Sequence, residues 1–539
     1  MQQMRRLVMG ILFWVMTGMI GPMSMPASAE DKPEGEKPRY GGELVVALEA
    51  GPAHLNPAIS SGLFTGLPAA QLFASPLRYD EKWQPQPYLA EKWEVSPDGR
   101  AVTLHLVKGA TFHDGRPITS KDVEFSIMTV QAYHPFKSMF AAVEKVDTPD
   151  PWTAIVRLRK PSPAILMAMS PVLLPIIPQH IYGDGRDIRT HPANLAPVGS
   201  GPFKFVQFVP GQQIVLEKYN DFFIKGRPYL DKIRYKIFRH PELEMPMSLE
   251  AGESHIIFSS NIDDFQRYEK DPGLVVTSSG YKGLGALFWL TFNLQRKPFN
   301  DLRVRQAVAY CIDRDFIVQT LLKGTAQKAT GPISPDSPFY STAVEQFGVN
   351  IDKANKLLDA AGYPRDAGGR RFQAAIDYPS EGSIFVSFSE YLRQDLLRKI
   401  GVELIISKFK GYSQWADNIS NGRFDLSLDV VFNRGDPVIG VHRTYDCDNI
   451  KKGLIYSNNQ GYCNPEVNRL MEAAGAEMDF AKRKALYAEF QRVVVGDLPI
   501  YYLFKIPHRT IYQKNLAGID DNIWGALSPM DQVYWLKKP

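Results

Sequence analysis

The chain has 539 residues, 44% apolar and 22% charged, with a formal net charge of +4. That length exceeds one hydrophobic core and calls for two or three domains. The weak charge balance and the lack of a Lys/Arg run argue against a phosphate-tracking protein, so no nucleic-acid partner is expected.

Residues 1–29 read as a secretory signal peptide. Arg5 and Arg6 supply the charged end, Leu7 to Ile20 the apolar run, and Ala27-Ser28-Ala29 the cleavage pattern. The run is too short for a comfortable membrane span. No cysteine lies near the cleavage site to carry a lipid. The mature, nearly neutral chain is therefore expected to be periplasmic. Of three cysteines, Cys311 falls on an apolar helical face and reads as a buried free thiol. Cys447 and Cys463 are predicted to form a disulfide, because such bonds persist in exported compartments; the alternative is two free thiols.

Residues 30–39 are charged and Pro-rich, a flexible lead-in. Order is expected from Tyr40, with a strand at Leu44 to Leu48 and then a loop through Pro52, Pro57 and Gly62. Between Glu81 and Val198 short strands are predicted at Trp93 to Val95, Ala101 to Val107 and Trp152 to Arg159. One helix interrupts them, capped by Thr119 with Asp122 three residues on. Ala164 to Pro178 is apolar but broken by three prolines, a buried segment. Strands follow at Phe203 to Phe208, Ile214 to Lys218 and Arg234 to Arg239, then a short helix before Gly252 and a strand at Ile256 to Phe258.

A second lobe is predicted from Phe288. Asn300 is the candidate cap of a helix whose stripe is Val304, Ala307, Val308, Cys311 and Ile312. Asp313 begins another helix, which Gly324 ends. Leu357 and Leu358 mark a third, and Leu392, Leu396 and Ile400 a fourth, closed by Gly401 before a strand at Val402 to Ile406. This is the α/β rhythm. Leu426, Leu428, Val430 and Phe432 alternate with Asp425, Ser427, Asp429 and Val431, a strand running into the turn Asn433-Arg434-Gly435-Asp436-Pro437. Asn464-Pro465 opens a helix. Leu486, Phe490, Val493 and Val494 mark the last long one, and Leu498 to Phe504 is a strand. The tail is expected to rejoin the first lobe.

No catalytic motif is present: no G-x-S-x-G, no Walker loop and no H-E-x-x-H. The ten histidines are scattered. Binding is favoured over turnover, and neither a metal nor another cofactor is expected.

Several blocks carry a resemblance: Leu89 to Arg100, Leu104 to Gly115, Ile118 to Val123, Pro197 to Phe203, Phe299 to Ala307 with Ile312 to Arg314, and Leu357 to Gly362. Together they resemble the family 5 extracellular solute-binding proteins of ABC importers, which include dipeptide, oligopeptide and nickel-chelate receptors. The resemblance spans nearly all the mature chain. It implies an α/β, two-lobed type II periplasmic-binding-protein fold with an extra domain in the first lobe. On that basis residues 40–80, 199–287 and 505–539 are assigned to lobe I, 81–198 to the extra domain and 288–504 to lobe II.

The implied function is capture of a peptide or peptide-like solute and delivery to an ABC permease of the inner membrane, by a monomer. Other solutes, such as an opine-like conjugate, an oligosaccharide or a metal chelate, are alternatives, as is a secreted hydrolase. In peptide-binding members an Asp in a Gly-Asp-Pro turn pairs with the peptide's α-ammonium, and Asp436 matches it. Phe432, Asn433 and Arg434 flank that Asp, and Arg434 or Arg443 could serve an anionic group. Tyr378 stands in Asp377 to Glu381, where dipeptide receptors carry an Arg- and Tyr-containing segment. Trp524, with Trp289 and Trp415, is a candidate platform in the cleft.

Overall fold

In a computed structural model, residues 38–379, 383–409, 411–519 and 522–537 are described. The expected signal peptide, most of the lead-in, Ser380 and Glu381 lie outside them. From Arg39 onward the chain is one unit.

Its architecture follows from three sheets. A seven-stranded sheet runs in the order Leu274–Thr277, Arg509–Gln513, Ile256–Ser259, Glu43–Leu48, Lys232–Ile237, Gln213–Lys218 and Phe203–Val209. Glu43–Leu48 sits at its centre, parallel to both neighbours. A six-stranded sheet runs Gln327–Lys328, Ile500–Lys505, Ala286–Phe292, Leu426–Phe432, Phe372–Asp377 and Val402–Ile406. The third sheet, Ala90–Val95, Ala101–Leu106, Thr153–Leu158 and Val143–Asp150, is antiparallel throughout.

Two apolar cores match this division. One joins the seven-stranded and four-stranded sheets, from Leu44 and Val46 to Val102 and Val156. The other is built on Phe288, Leu290, Leu428 and Phe504. Two buried layers with separate cores are two lobes. The chain crosses between them after Thr277 and again after Lys505. At these crossings the rings of Tyr281 and His508 stack with centroids 5.2 Å apart, and the Tyr281 hydroxyl bonds Thr510 at 2.8 Å. Neighbouring crossing strands of this kind let two lobes hinge.

Local signals account for many elements. Thr119 and Asp122 form the capping box of Ser120–Tyr133, and Val123, Ile127 and Val130 are buried beneath it. Asn464 caps Pro465–Ala476 through Glu466 N–H. The cap of Leu302–Cys311 is Asp301 rather than Asn300, because its carboxylate accepts from Arg303 N–H. A helix, Leu63–Leu72, occupies what reads as loop in the sequence. It contains Pro68 and is buried on nearly every side, so no apolar stripe announces it. The strand Val143–Asp150 was also not evident, since its apolar residues are sparse.

Gly199 and Gly201 explain one sequence block. A Cβ on either would fall 1.9 Å or 2.3 Å from a carbonyl oxygen at the end of Leu63–Leu72. Only glycine permits that approach, through which Ser200 and Gly201 N–H groups reach Leu72 O. His113 locks the same place: its Nδ1 accepts from Gly199 N–H and its Nε2 faces Gly201 O at 3.0 Å.

Candidate functional site

The strand Leu426–Phe432 delivers the chain to the seam between the lobes. Phe432, at its end, packs against both cores. Arg434 and Gly435 then take left-handed backbone, φ 54° and 82°. This reverses the chain and presses Gly435 against the first lobe. A Cβ there would lie 2.7 Å from Met167 Sδ and 3.4 Å from the Trp524 ring. The Arg434 Nη2 donates to Ser61 O at 2.7 Å, a bond from one lobe to the other.

Asp436 is buried, and both its oxygens have partners in the chain. Arg483 reaches them with two guanidinium nitrogens, each at 2.8 Å. Asp436 also caps Pro437–Gly440 through Val438 N–H. Burial alone would lower the Arg483 pKa; the facing carboxylate more than offsets this and raises it. An ammonium at Asp436 would share the carboxylate with Arg483, which already balances its charge from within lobe II. Asn433 is likewise committed, its Oδ1 accepting from Ser334 N–H at 2.6 Å and its Nδ2 donating to Pro332 O. It braces the turn rather than reaching into the seam.

Arg434 and Arg443 differ from Asp436. Both guanidiniums lie over the ring of Phe136 in the first lobe, at 5.6 and 4.2 Å. Arg443 also lies over Tyr456, at 5.8 Å. Each has a buried Nε–H without a partner. Among the described residues neither pairs with a carboxylate. Burial pulls both pKa values down to about 10, and for Arg443 the like charge of Arg434 adds to this. The Tyr456 hydroxyl, Asp429 and the Tyr412 hydroxyl act against this lowering at Arg443, so Arg434 is the desolvated cation with no opposing charge among the described residues, an incomplete electrostatic arrangement.

Trp524 is buried, with its indole N–H unpartnered. It walls a small apolar cavity of about 70 Å³ with Leu63, Phe64, Phe258 and Tyr281. Ser259, Ser260 and Glu49 stand at its rim, beyond the carboxyl ends of two central strands. Such crevices are where α/β sheets hold ligands. Tyr378 is not gathered here; its ring lies parallel to Phe385 in the lobe II core. Trp415 is fully buried and its indole donates to Ser427 Oγ. His442 faces the Tyr487 hydroxyl at 3.0 Å. Cys447 and Cys463 are joined, closing the loop that carries Tyr456, and Cys311 is a buried free thiol.

Phe136, Ser61 and Arg483 went unrecognised in the sequence. None sits in a local pattern that marks it, and each matters only through what it meets across the fold.

The family model described as "Bacterial extracellular solute-binding proteins, family 5 Middle" matches residues 84–452. The chain is 27% identical over 513 residues to the oligopeptide-binding protein AppA of Bacillus subtilis (strain 168), covering 92% of each chain. It superposes with TM-score 0.80 on the structure of B. subtilis AppA in complex with a nonapeptide, at 25% identity, covering 93% of this chain and 100% of that one. It superposes with TM-score 0.76 on AgaA from A. tumefaciens R10 in complex with agropinic acid, also at 25% identity, covering 92% and 99%. These likenesses agree with the two-lobed type II architecture.

Proposed function

The chain belongs to the family 5 bacterial extracellular solute-binding proteins, and from that premise we propose that it is the exported receptor of an ABC importer. It captures a peptide or peptide-like solute between its lobes and presents it to a permease of the inner membrane. The observation that carries the solute class is the pair Arg434 and Arg443, one buried and one half-buried guanidinium on Phe136, neither within ion-pair distance of a carboxylate among the described residues. An oxyanion of the solute, such as a carboxylate, completes their charge. The small apolar cavity walled by Trp524 fits a small hydrophobic group. The similar AppA and AgaA structures hold a nonapeptide and agropinic acid.

Lobe closure then works through differential affinity. Arg434 and Arg443 reach Phe136 only when the lobes meet, so a solute bridging these groups favours the closed arrangement. The receptor binds without turnover.

The test is thermal stabilisation of purified mature protein by a tryptic casein digest, by mixed free amino acids and by oligosaccharides. Stabilisation by the digest, with its composition unchanged after incubation, supports the reading. Arg443→Met should weaken the digest's effect at least tenfold. Stabilisation by oligosaccharide alone, or cleavage of the digest, would overturn it.

A further inference from the structure

Where the lobes meet beside Arg434, a void of about 10 Å³ is enclosed by Ser60, Ser61, Gly62, His134, Phe136 and Arg434. Three electropositive features line it. Arg434 is 5% exposed and its Nε–H has no partner. His134, which ends the helix Ser120–Tyr133, is 1% exposed, and its Nε2 is also unpartnered. Its Nδ1 accepts from Phe136 N–H at 2.9 Å, so the ring proton sits on Nε2. Burial, with the charge of Arg434, lowers the pKa of that ring to about 3 and keeps it neutral. The Ser60 backbone stands close enough to weigh on it, but outside hydrogen-bond geometry. The third feature is the start of the helix Leu63–Leu72. Gly62 holds the cap position and offers no side-chain cap. The first N–H groups of a helix have no partner within it and carry the positive end of its dipole.

Among the described residues no negative group answers them. Asp429 acts on Arg443 and not on Arg434, whose pKa is lowered by burial alone. The two cations also open on different spaces: Arg443 lines a separate groove of about 260 Å³ with Lys160 and Asp446. A solute carboxylate drawn to the pair answers one charge, and the void beside Arg434 is too small to admit it. A space of this size takes one water-sized body, which excludes carboxylate, sulfate and phosphate. A water there leaves the charge of Arg434 uncompensated at low dielectric, whereas an anion cancels it. We propose that the void is a binding site for one monatomic anion, a halide such as chloride, held by Arg434 Nε–H, His134 Nε2–H and the amino end of Leu63–Leu72.

The ion bridges the lobes, because Arg434 belongs to lobe II and the other two features to the first lobe. Arg434 already donates across the seam to Ser61 O at 2.7 Å. The halide adds charge-assisted hydrogen bonds at the same place. One consequence rests on the receptor reading above: an ion held only when the lobes meet favours the closed arrangement, and so raises affinity for the solute. The ion site itself does not depend on that reading.

The experiment melts the mature protein in sodium chloride, bromide and methanesulfonate at one ionic strength, with and without a tryptic casein digest. Crystals are soaked in bromide. Chloride and bromide should raise the melting temperature with a saturating dependence, and methanesulfonate should not. An anomalous bromide peak should lie between Arg434 and His134. In His134→Asn the Oδ1 can replace Nδ1 as acceptor for Phe136 N–H, but the shorter amide does not reach the void. That variant should need at least about tenfold more halide for the same rise. The digest should be more potent in chloride than in methanesulfonate on the wild type, and equally potent in both on His134→Asn. Equal melting in the three salts with no peak means that a water fills the void, and the proposal falls. A peak without halide-dependent melting is binding at crystal concentration only and also overturns it, as does an unchanged halide response in His134→Asn. Halide-dependent melting of a protein that no digest stabilises keeps the ion site and removes the receptor reading; stabilisation by digest with no halide effect does the reverse. Should His134→Asn fail to fold, the wild-type salt series and the bromide map decide.

Discussion

Arg483 and Asp436 form a buried two-point ion pair, with both N···O distances 2.8 Å, between a helix and a turn 47 residues apart in sequence. It fixes the turn on which Arg434 and Gly435 meet the first lobe. Arg483 also donates from Nε to Ala474 O, so the guanidinium ties three segments together.

Removing one partner of such a pair leaves an uncompensated buried charge. Asp436→Ala should destabilise lobe II by about 3–5 kcal/mol. Urea unfolding monitored by circular dichroism measures this. A variant as stable as the wild type would show that the pair does not hold the turn.

Gly435 tests the seam itself. Its φ of 82° is unfavourable for a side chain, and its Cβ would meet Met167 and Trp524 of the opposite lobe. Gly435→Ala should cost about 1–2 kcal/mol in backbone strain. The same variant should hold the lobes apart, so that the digest binds at least tenfold more weakly. Small-angle scattering with and without saturating digest should then show no compaction on binding. Normal compaction would mean that Met167 yields.

The disulfide Cys447–Cys463 closes the loop that places Tyr456 over Arg443. Replacing both cysteines with serine should lower stability by roughly 3 kcal/mol on the chain-entropy model. It should also weaken digest binding by freeing Tyr456. Guanidinium unfolding and the thermal-shift titration read the two effects separately.

One buried histidine, His134, and three half-buried ones, His113, His442 and His508, shape the acid response. Burial lowers the pKa of His113 and His508 to about 4, and of His134 and His442 to about 3. The unfolded chain takes up these protons near 6.5, whereas the folded chain resists them. Stability is therefore full above about pH 6.5 and falls as pH drops through the window toward 4. A melting temperature that stays level from pH 7 to 4.5 would contradict this. His113→Gln should flatten part of the slope, though it also disturbs the Gly199 and Gly201 contacts.

Much of the architecture is carried by short-range signals. The alternation from Leu426 to Phe432, the capping box of Thr119 and Asp122, and Asn464 before Pro465 each act within a few residues. Their structure can therefore be read from neighbours alone. Leu63–Leu72 escaped that reading because burial on all sides erases the stripe that marks a helix. The turn at Gly435-Asp436-Pro437 was equally visible, yet what its side chains meet was not. Asp436 and Asp429 are both acids at the end of one strand region. Only the fold places Arg483 against one and sets the other near Arg443, Tyr412 and Tyr456. Periodicity and caps are local energies, so the sequence by itself determined the elements and their order. Which charges are neutralised depends on groups brought close from distant segments at low dielectric, and that was decided by tertiary structure alone.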